Sequence, residues 1–243
     1  MRSLNPTRER MSMTIKAVIF DLDGTIATFN LDYKTVRAEV RGYLLNMGVP
    51  SSLLMVNENI FEMLKKTELF ISKAGKPAGT LEEIRREALH IAEKYELEAA
   101  TRTSLLPGAV ETLKDLKKMD LKIALCTINS ANSTEHILKR FKLTQYFDAA
   151  IPRNQVTSYK PNPEHCNTAL KAMGVSAAET VVVGDSITDM QAASEIKATA
   201  IGIPTGVSTK EQLVKEGAHY IVTSITDLPI LIERINKAQK TEA

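Results

Sequence analysis

From Leu106 onward, short apolar runs alternate with amphipathic helical patterns, and this alternation limits the possible folds more than any other feature. The runs are Lys122 to Thr127, Thr180 to Asp185, Ala198 to Ile203 and Tyr220 to Thr223. Helical patterns fall near 132–141, 163–173, 187–196, 208–216 and 226–238. Strands that alternate with helices imply a parallel sheet covered on both faces. One more run of strand length and composition, Ile15 to Phe20, stands apart from the others. It precedes residues 31–105, which contain no strand pattern. The α/β part is therefore discontinuous in sequence.

Residues 31–105 read as a small helical bundle. Val36, Val40, Tyr43, Leu44 and Met47 recur at helical spacing until Gly48 and Pro50 end the segment. Asn57 is placed to cap a second helix carrying Ile60, Phe61 and Leu64. Ser72 to Gly79 reads as a loop. Thr80 and Glu83 then form a capping box ahead of Ile84, Ala88, Ile91 and Tyr95. Beyond the bundle, Pro107 opens a helix that continues over Ala109 to Lys118. Ser208 with Glu211, and Thr226, read as later caps. The expected organisation is a tail at 1–13, an α/β core at 14–30 and 106–243, and a helical domain at 31–105.

The chemistry concentrates at the ends of the apolar runs. Asp21-Leu22-Asp23-Gly24-Thr25 directly follows Phe20. Residues i and i+2 of a strand project to one side, so both carboxylates can face one ligand. Open α/β sheets bind ligands beyond the carboxyl ends of their strands. Thr127 ends one run, and Gly184-Asp185-Ser186 with Asp189 ends another. Lys160-Pro161 lies in a loop between Phe147 and the helix opening near Pro163. In a parallel sheet these ends share one edge, about 4.8 Å apart per strand step. Taken singly, Asp-Gly is a turn signal, Asp-Ser a helix cap and Lys-Pro a solvated loop. Taken together and in this order, they point to one site.

Composition narrows the function. The formal net charge of +2 creates no strong field toward nucleic acid or a membrane surface. No apolar run approaches spanning length, and the first dozen residues lack the apolar stretch of a signal peptide. Cys126 and Cys166 form neither a ligand cluster nor a disulfide framework, and Cys126 reads as a buried strand residue. His90, His136, His165 and His219 show no metal-ligand spacing. A cytoplasmic chain is expected, with no nucleic acid and no membrane as partner.

With these residues in hand, the chain resembles the haloacid dehalogenase superfamily of phosphohydrolases, over about residues 15 to 230. Asp21-Leu22-Asp23-Gly24-Thr25 matches the first of that family's four ordered motifs, Thr127 the second, Lys160-Pro161 the third, and Gly184-Asp185-Ser186 with Asp189 the fourth. Leu106-Pro107-Gly108 looks like the re-entry after the family's helical cap. The nearest subgroups are phosphoglycolate phosphatases and β-phosphoglucomutases. The resemblance implies a Rossmann-like core with an inserted cap and a Mg²⁺-dependent phosphatase whose partner is a small phosphate ester, as a monomer or weak homodimer. It also implies roles. Asp21 is the nucleophile that forms an aspartyl-phosphate, and Asp23 is the general acid and then the base. Thr127 and Lys160 hold the phosphoryl oxygens. Asp21, Asp185 and the backbone carbonyl of Asp23 hold Mg²⁺, with Asp189 supporting the metal shell or Lys160.

Charge counting supports the metal independently. Asp21, Asp185 and Asp189 bring three negative charges and Lys160 returns one, so the bare site should repel a phosphate dianion. Two positions depart from the family pattern. Asn129 is a substrate-binding candidate beside Thr127 and Lys160, although Ile128 separates it from Thr127 where many relatives place Asn directly after the Thr, and Lys197 stands where many have Gly. Arg37, Arg41, Lys65, Lys66, Arg85 and Arg86 could meet an anionic substrate or form a solvated face. The competing readings are a sugar phosphomutase and a non-catalytic regulator on the same fold. A dehalogenase needs no acid at Asp23. The insert is expected to close over the site, hinging near 27–31 and 103–107.

Overall fold

The computed structural model describes residues 14–28, 30–75 and 77–241. The expected tail at 1–13 lies outside the described residues, as does Phe29 in the first expected hinge. In chain order the elements are β1 (Ala17–Phe20), α1 (Tyr33–Asn46), α2 (Ile60–Lys73), α3 (Ala78–Arg102), α4 (Ala109–Lys118), β2 (Lys122–Thr127), α5 (Ala131–Arg140), β3 (Ala149–Pro152), α6 (Pro163–Met173), β4 (Thr180–Gly184), α7 (Ile187–Ile196), β5 (Thr199–Gly202), α8 (Lys210–Lys215), β6 (Tyr220–Ile221) and α9 (Leu228–Thr241). These residues form two compact units. One holds the chain up to residue 28 together with 104–128 and 138–241, and the other holds 30–103 and 129–137.

The first unit is a six-stranded sheet in the order β3-β2-β1-β4-β5-β6, parallel throughout. The chain winds outward from β1 through β2 to β3, then returns to the other side of β1 with β4. That reversal is the topological switch point of a Rossmann-type α/β sheet, where ligands bind. The strands are buried on both faces, which explains their continuous apolar character. Ala17 and Ile19, Ala124 and Cys126, and Val182 and Ala200 pack with Ala169, Met190 and Ala193 of α6 and α7. The alternate strand residues, Val18, Phe20, Ile123, Leu125, Val181 and Val183, are equally buried, and α4 packs on β2 and on α9.

The second unit is helical, as the missing strand pattern implied. Val36, Val40 and Leu44 of α1, Met63, Leu64 and Ile71 of α2, and Ile84, Ala88 and Ala92 of α3 make one core. At roughly 1.5–3 kcal/mol for each large buried apolar side chain, this cluster supplies most of the unit's cohesion. Arg37 and Arg41 donate to the carbonyls of Asn57 and Leu54. Lys66 pairs with Glu58, and Arg86 lies beside Glu83 and Glu87. Arg37, Arg41 and Lys66 therefore tie parts of their own unit together, while Arg86 pairs along α3. No helix among the described residues is long and apolar enough to cross a membrane.

Several local readings are corrected. Asn59 rather than Asn57 caps α2, its side chain accepting the Glu62 N–H at 2.9 Å. Helix α2 runs through Ser72 to Lys73, and α3 opens at Ala78 after Pro77, so Thr80 and Glu83 lie inside the helix. Thr209 and Gln212 form the capping box of α8, because the Ser208 hydroxyl is taken by the Ile187 N–H. Gly108, in the left-handed region, caps α4, so Pro107 lies outside that helix. Thr226 donates its N–H to Ser224, the residue that caps there. Strand β3 was not anticipated. Its Ala-Ala-Ile-Pro carries too little apolar character to stand out, and pairing with β2 makes it a strand.

Candidate active site

Asp21 is the first residue past β1, and its N–H donates to Val183 O at 3.0 Å, which fixes its level beside β4. After Asp21 the chain coils into a tight turn. The N–H groups of Thr25, Ile26 and Ala27 all converge on Leu22 O, and Gly24 N–H donates to Ala27 O. Gly24 has φ 80°, a left-handed backbone that favours glycine. Thr28 N–H to Ser104 O and Leu106 N–H to Ile26 O then tie the two strands of chain that leave and re-enter this unit.

Across the switch point, Asp185 follows β4 directly. Its Oδ2 accepts the Val207 N–H at 2.7 Å, and the Thr25 hydroxyl reaches its Oδ1 at 3.4 Å. A Cβ on Gly206 would lie 1.9 Å from Asp185 Oδ2, so only glycine lets that backbone come so close. Thr205 Oγ1 in turn donates to Gly24 O at 2.5 Å. Asp189 stands one turn into α7. Its Oδ2 accepts the Ser186 N–H and hydroxyl at 3.1 and 2.6 Å, closing a capping box with Ser186.

Lys160 completes the group. Its Nζ lies 2.7 Å from Asp21 Oδ1 and 2.5 Å from Asp189 Oδ1, and its side chain is only 3% exposed. The backbone around it is anchored from below. Lys160 N–H points at His165 Nδ1 at 3.4 Å, and His165 Nε2 sits 2.7 Å from Ile151 O. The ring is thus a neutral imidazole that accepts at Nδ1 and donates at Nε2. Burial, with Lys160 nearby, pushes the His165 pKa down to about 4.

The electrostatics are those of crowded carboxylates. Asp21, Asp185 and Asp189 offer oxygens that all lie within 4.8 Å of one another. Burial raises Asp21 to about 6, with Lys160 opposing and Asp189 reinforcing the shift. Burial and the charges of Asp21 and Asp189 raise Asp185 to about 8. At Lys160 burial works against the charge, but Asp189 and Asp21 outweigh it and hold the ammonium well above its usual range. One cation among three carboxylates leaves a deficit of positive charge. The donors are all hard oxygens at short mutual range, a set that fits a small divalent cation such as Mg²⁺.

The structure therefore brings together Asp21, Lys160, Asp185 and Asp189. Thr127 is 1% exposed at the end of β2, two residues past the Leu125 that pairs with Phe20. Asp23 is half-buried in the turn after β1 and is not in the acidic group. Asn129 is buried but falls with the helical unit. Cys126 is fully buried, its thiol donating to His165 O at 3.7 Å. Thr25, Thr205, Gly206, Val207 and His165 were not read as site residues. Only Gly206, just past a strand, carried a signal in the sequence.

These features have known counterparts. The family model described as haloacid dehalogenase-like hydrolase matches residues 18–203. The chain belongs to that family. It is a hydrolase of the phosphatase kind, and its curated relatives carry that description. It is 25% identical over 227 residues to the pyrophosphatase PpaX of Bacillus mycoides, covering 92% of this chain and 100% of that one. It is 25% identical over 241 residues to a phosphoglycolate phosphatase of Pseudomonas savastanoi, covering 94% and 87%. Among solved structures, a hydrolase from Pseudomonas syringae superposes with a TM-score of 0.64 at 24% identity, covering 90% of this chain and 99% of the other. That likeness speaks for the fold.

Proposed function

We propose that the chain is a Mg²⁺-dependent phosphatase that hydrolyses a small phosphomonoester through an aspartyl-phosphate on Asp21. The observation that carries this reading is the buried Lys160 ammonium bonded to both Asp21 and Asp189, with Asp185 alongside, at the switch point of the sheet. One carboxylate oxygen of Asp21 is held by Lys160, which orients the other for in-line attack on phosphorus. The new P–O bond forms as the ester P–O bond breaks. Asp23, two residues on, gives the departing alkoxide its proton, then takes one from the water that cleaves the acyl phosphate. Thr127 donates its hydroxyl to the transferring oxygens, and Lys160 places a fixed charge against them. Asp21 and Asp185 with the Asp23 carbonyl would hold Mg²⁺, which neutralises charge on the phosphoryl group when bound. Asp189, both of whose oxygens already have donors, aims Lys160.

Residues 31–105 are proposed as the specificity-bearing insert, and the named relatives make phosphoglycolate-like and pyrophosphate-like substrates the first to try. The test is p-nitrophenyl phosphate hydrolysis with and without Mg²⁺, for the wild type and Asp21→Asn. Loss of several orders of magnitude in a folded variant is expected. Retention of more than about a tenth of the turnover would sink the nucleophile assignment.

A further inference from the structure

The turn that follows Thr127 is gripped from outside its own segment. Ser130 immediately precedes α5 and caps it locally. Its Oγ accepts the Ser133 N–H at 3.2 Å, and its carbonyl accepts the Thr134 N–H at 3.0 Å. In a capping box, the third helical residue also accepts the N–H of the cap residue. Here that residue is Ser133, whose hydroxyl donates to Ser130 O instead. The missing acceptor comes from α3: Glu96 Oε2 takes the Ser130 N–H at 2.9 Å, across 34 residues of chain. One turn back on α3, Glu93 Oε1 accepts from Asn132 Nδ2 at 2.6 Å. Residues three apart share a helix face, so α3 presents two carboxylates to the first turn of α5.

The other end of the same stretch is held too. Arg153, 4% exposed, donates from Nη1 to Ile128 O at 3.0 Å. From Ile128 to Ser130 the backbone is thus fixed at its leading carbonyl by a buried guanidinium and at its trailing N–H by a buried carboxylate. Bonds of this kind to ionised groups are stronger and stiffer than neutral ones. A neutral local cap would have sufficed to start α5. A buried acid brought from another helix, at the cost of its hydration, points to a demand on the position of the turn itself.

We propose that Glu96 is a positioning residue for catalysis. It fixes the Asn129–Ser130 turn and, through the Ile128 peptide, the end of β2 that carries Thr127. Its kinetic consequence rests on the phosphatase reading, because phosphoryl transfer depends on placing donors around the moving group, and a misplacement of about 1 Å can cost on the order of a hundredfold.

The test compares wild type, Glu96→Gln and Glu96→Ala in kcat and KM for p-nitrophenyl phosphate with Mg²⁺, and in hydrogen exchange of the Ser130 amide by NMR. Glu96→Ala should lower kcat about 10- to 100-fold while KM changes little. The Ser130 amide should exchange about tenfold faster or more, with the amides of Ile123 to Leu125 in the body of β2 unchanged. Glu96→Gln keeps an acceptor and should stay within roughly fivefold of wild type. If the alanine variant does not fold, Glu96→Asp, one methylene shorter, should lose kcat in its place. Wild-type kcat in Glu96→Ala or Glu96→Asp, or a glutamine variant as slow as the alanine one, would overturn the proposal. A wild-type chain without phosphatase activity would condemn the functional reading alone. Ser130 exchange would then decide, with unchanged protection in Glu96→Ala counting against the clamp.

Discussion

Asp185→Asn should separate the chemistry of the site from the stability of the fold. The substitution keeps the side-chain shape and an acceptor for the Val207 N–H, and it removes one charge. Burial, then the Asp21 and Asp189 charges, lift the Asp185 pKa from 3.8 to about 8. A carboxyl group with a raised folded pKa holds its proton more tightly in the folded chain. Its contribution is therefore fully present below the unfolded pKa and is lost as pH rises through the folded one, here between about pH 4 and 8. Some four pKa units at about 1.4 kcal/mol each set a ceiling near 6 kcal/mol on that loss. Asp21 is raised in the same range and can carry the proton instead, so the two titrate as a pair. About half the ceiling is the reasonable expectation. In urea unfolding with a chelator, the variant should be about 2–3 kcal/mol more stable than wild type at pH 8, and less than about 1 kcal/mol more stable at pH 5. Saturating Mg²⁺ should then reverse the order. It stabilises wild type by about 4.1 kcal/mol at a thousand times its Kd and the variant far less, and the variant should not turn over substrate. A variant that is less stable than wild type at pH 8 without metal, or an advantage equal at both pH values, would refute this account.

Three more outcomes can be checked. Gly206→Ala should raise the Mg²⁺ concentration needed for half-maximal activity, because its Cβ would displace the Asp185 carboxylate; an unchanged Mg²⁺ titration would show that this approach does not matter. His165, whose folded pKa of about 4 lies below the ordinary 6.5, is protonated in the unfolded chain first, so stability is present above pH 6.5 and lost as pH falls toward 4. Replacing it with Gln should remove up to about 3 kcal/mol of that acid sensitivity, read as a flatter unfolding profile from pH 7 to 4.5. Lys197 ends α7 with φ 61°. Lys197→Gly should therefore raise stability by about 0.5–1 kcal/mol, the left-handed relief exceeding the added entropy of the unfolded chain.

How much of this was legible depended on how local its cause was. Helices α6 and α7 were read at 163–173 and 187–196, their observed bounds, because Pro163 and the Ser186–Asp189 box start them by local hydrogen bonds. Lys122–Thr127 stood out because Ile123 to Cys126, buried on both faces, form an unbroken apolar run. Strand β3 did not, since its strand character comes from pairing with β2. The cap residues of α2 and α8 were each misplaced by one or two positions. Neighbouring Asn or Ser/Thr residues compete for the same helix end, and tertiary bonds such as Ile187 N–H to Ser208 Oγ decide between them.

The same division runs through the site. Asp21, Asp185 and Asp189 could be named because each follows a strand or opens a helix, Lys160 because Lys-Pro stands in the loop ahead of α6, and the parallel sheet carries the strand ends to one edge. What holds them in place could not be named. The Val207 N–H on Asp185, the Thr205 hydroxyl on Gly24 O and the His165 ring under Lys160 act through backbone atoms, and nearly any residue supplies those. Arg153 and Glu96 carry charge, yet nothing in their sequence neighbourhoods marks a functional acid or base. Their meaning lies in the distance their side chains bridge to the backbone on either side of Asn129. The acidic and basic groups that meet at this edge must be particular residue types, so a pattern records them. The groups that position them need only reach the right peptide, and that reach exists only once the chain is folded.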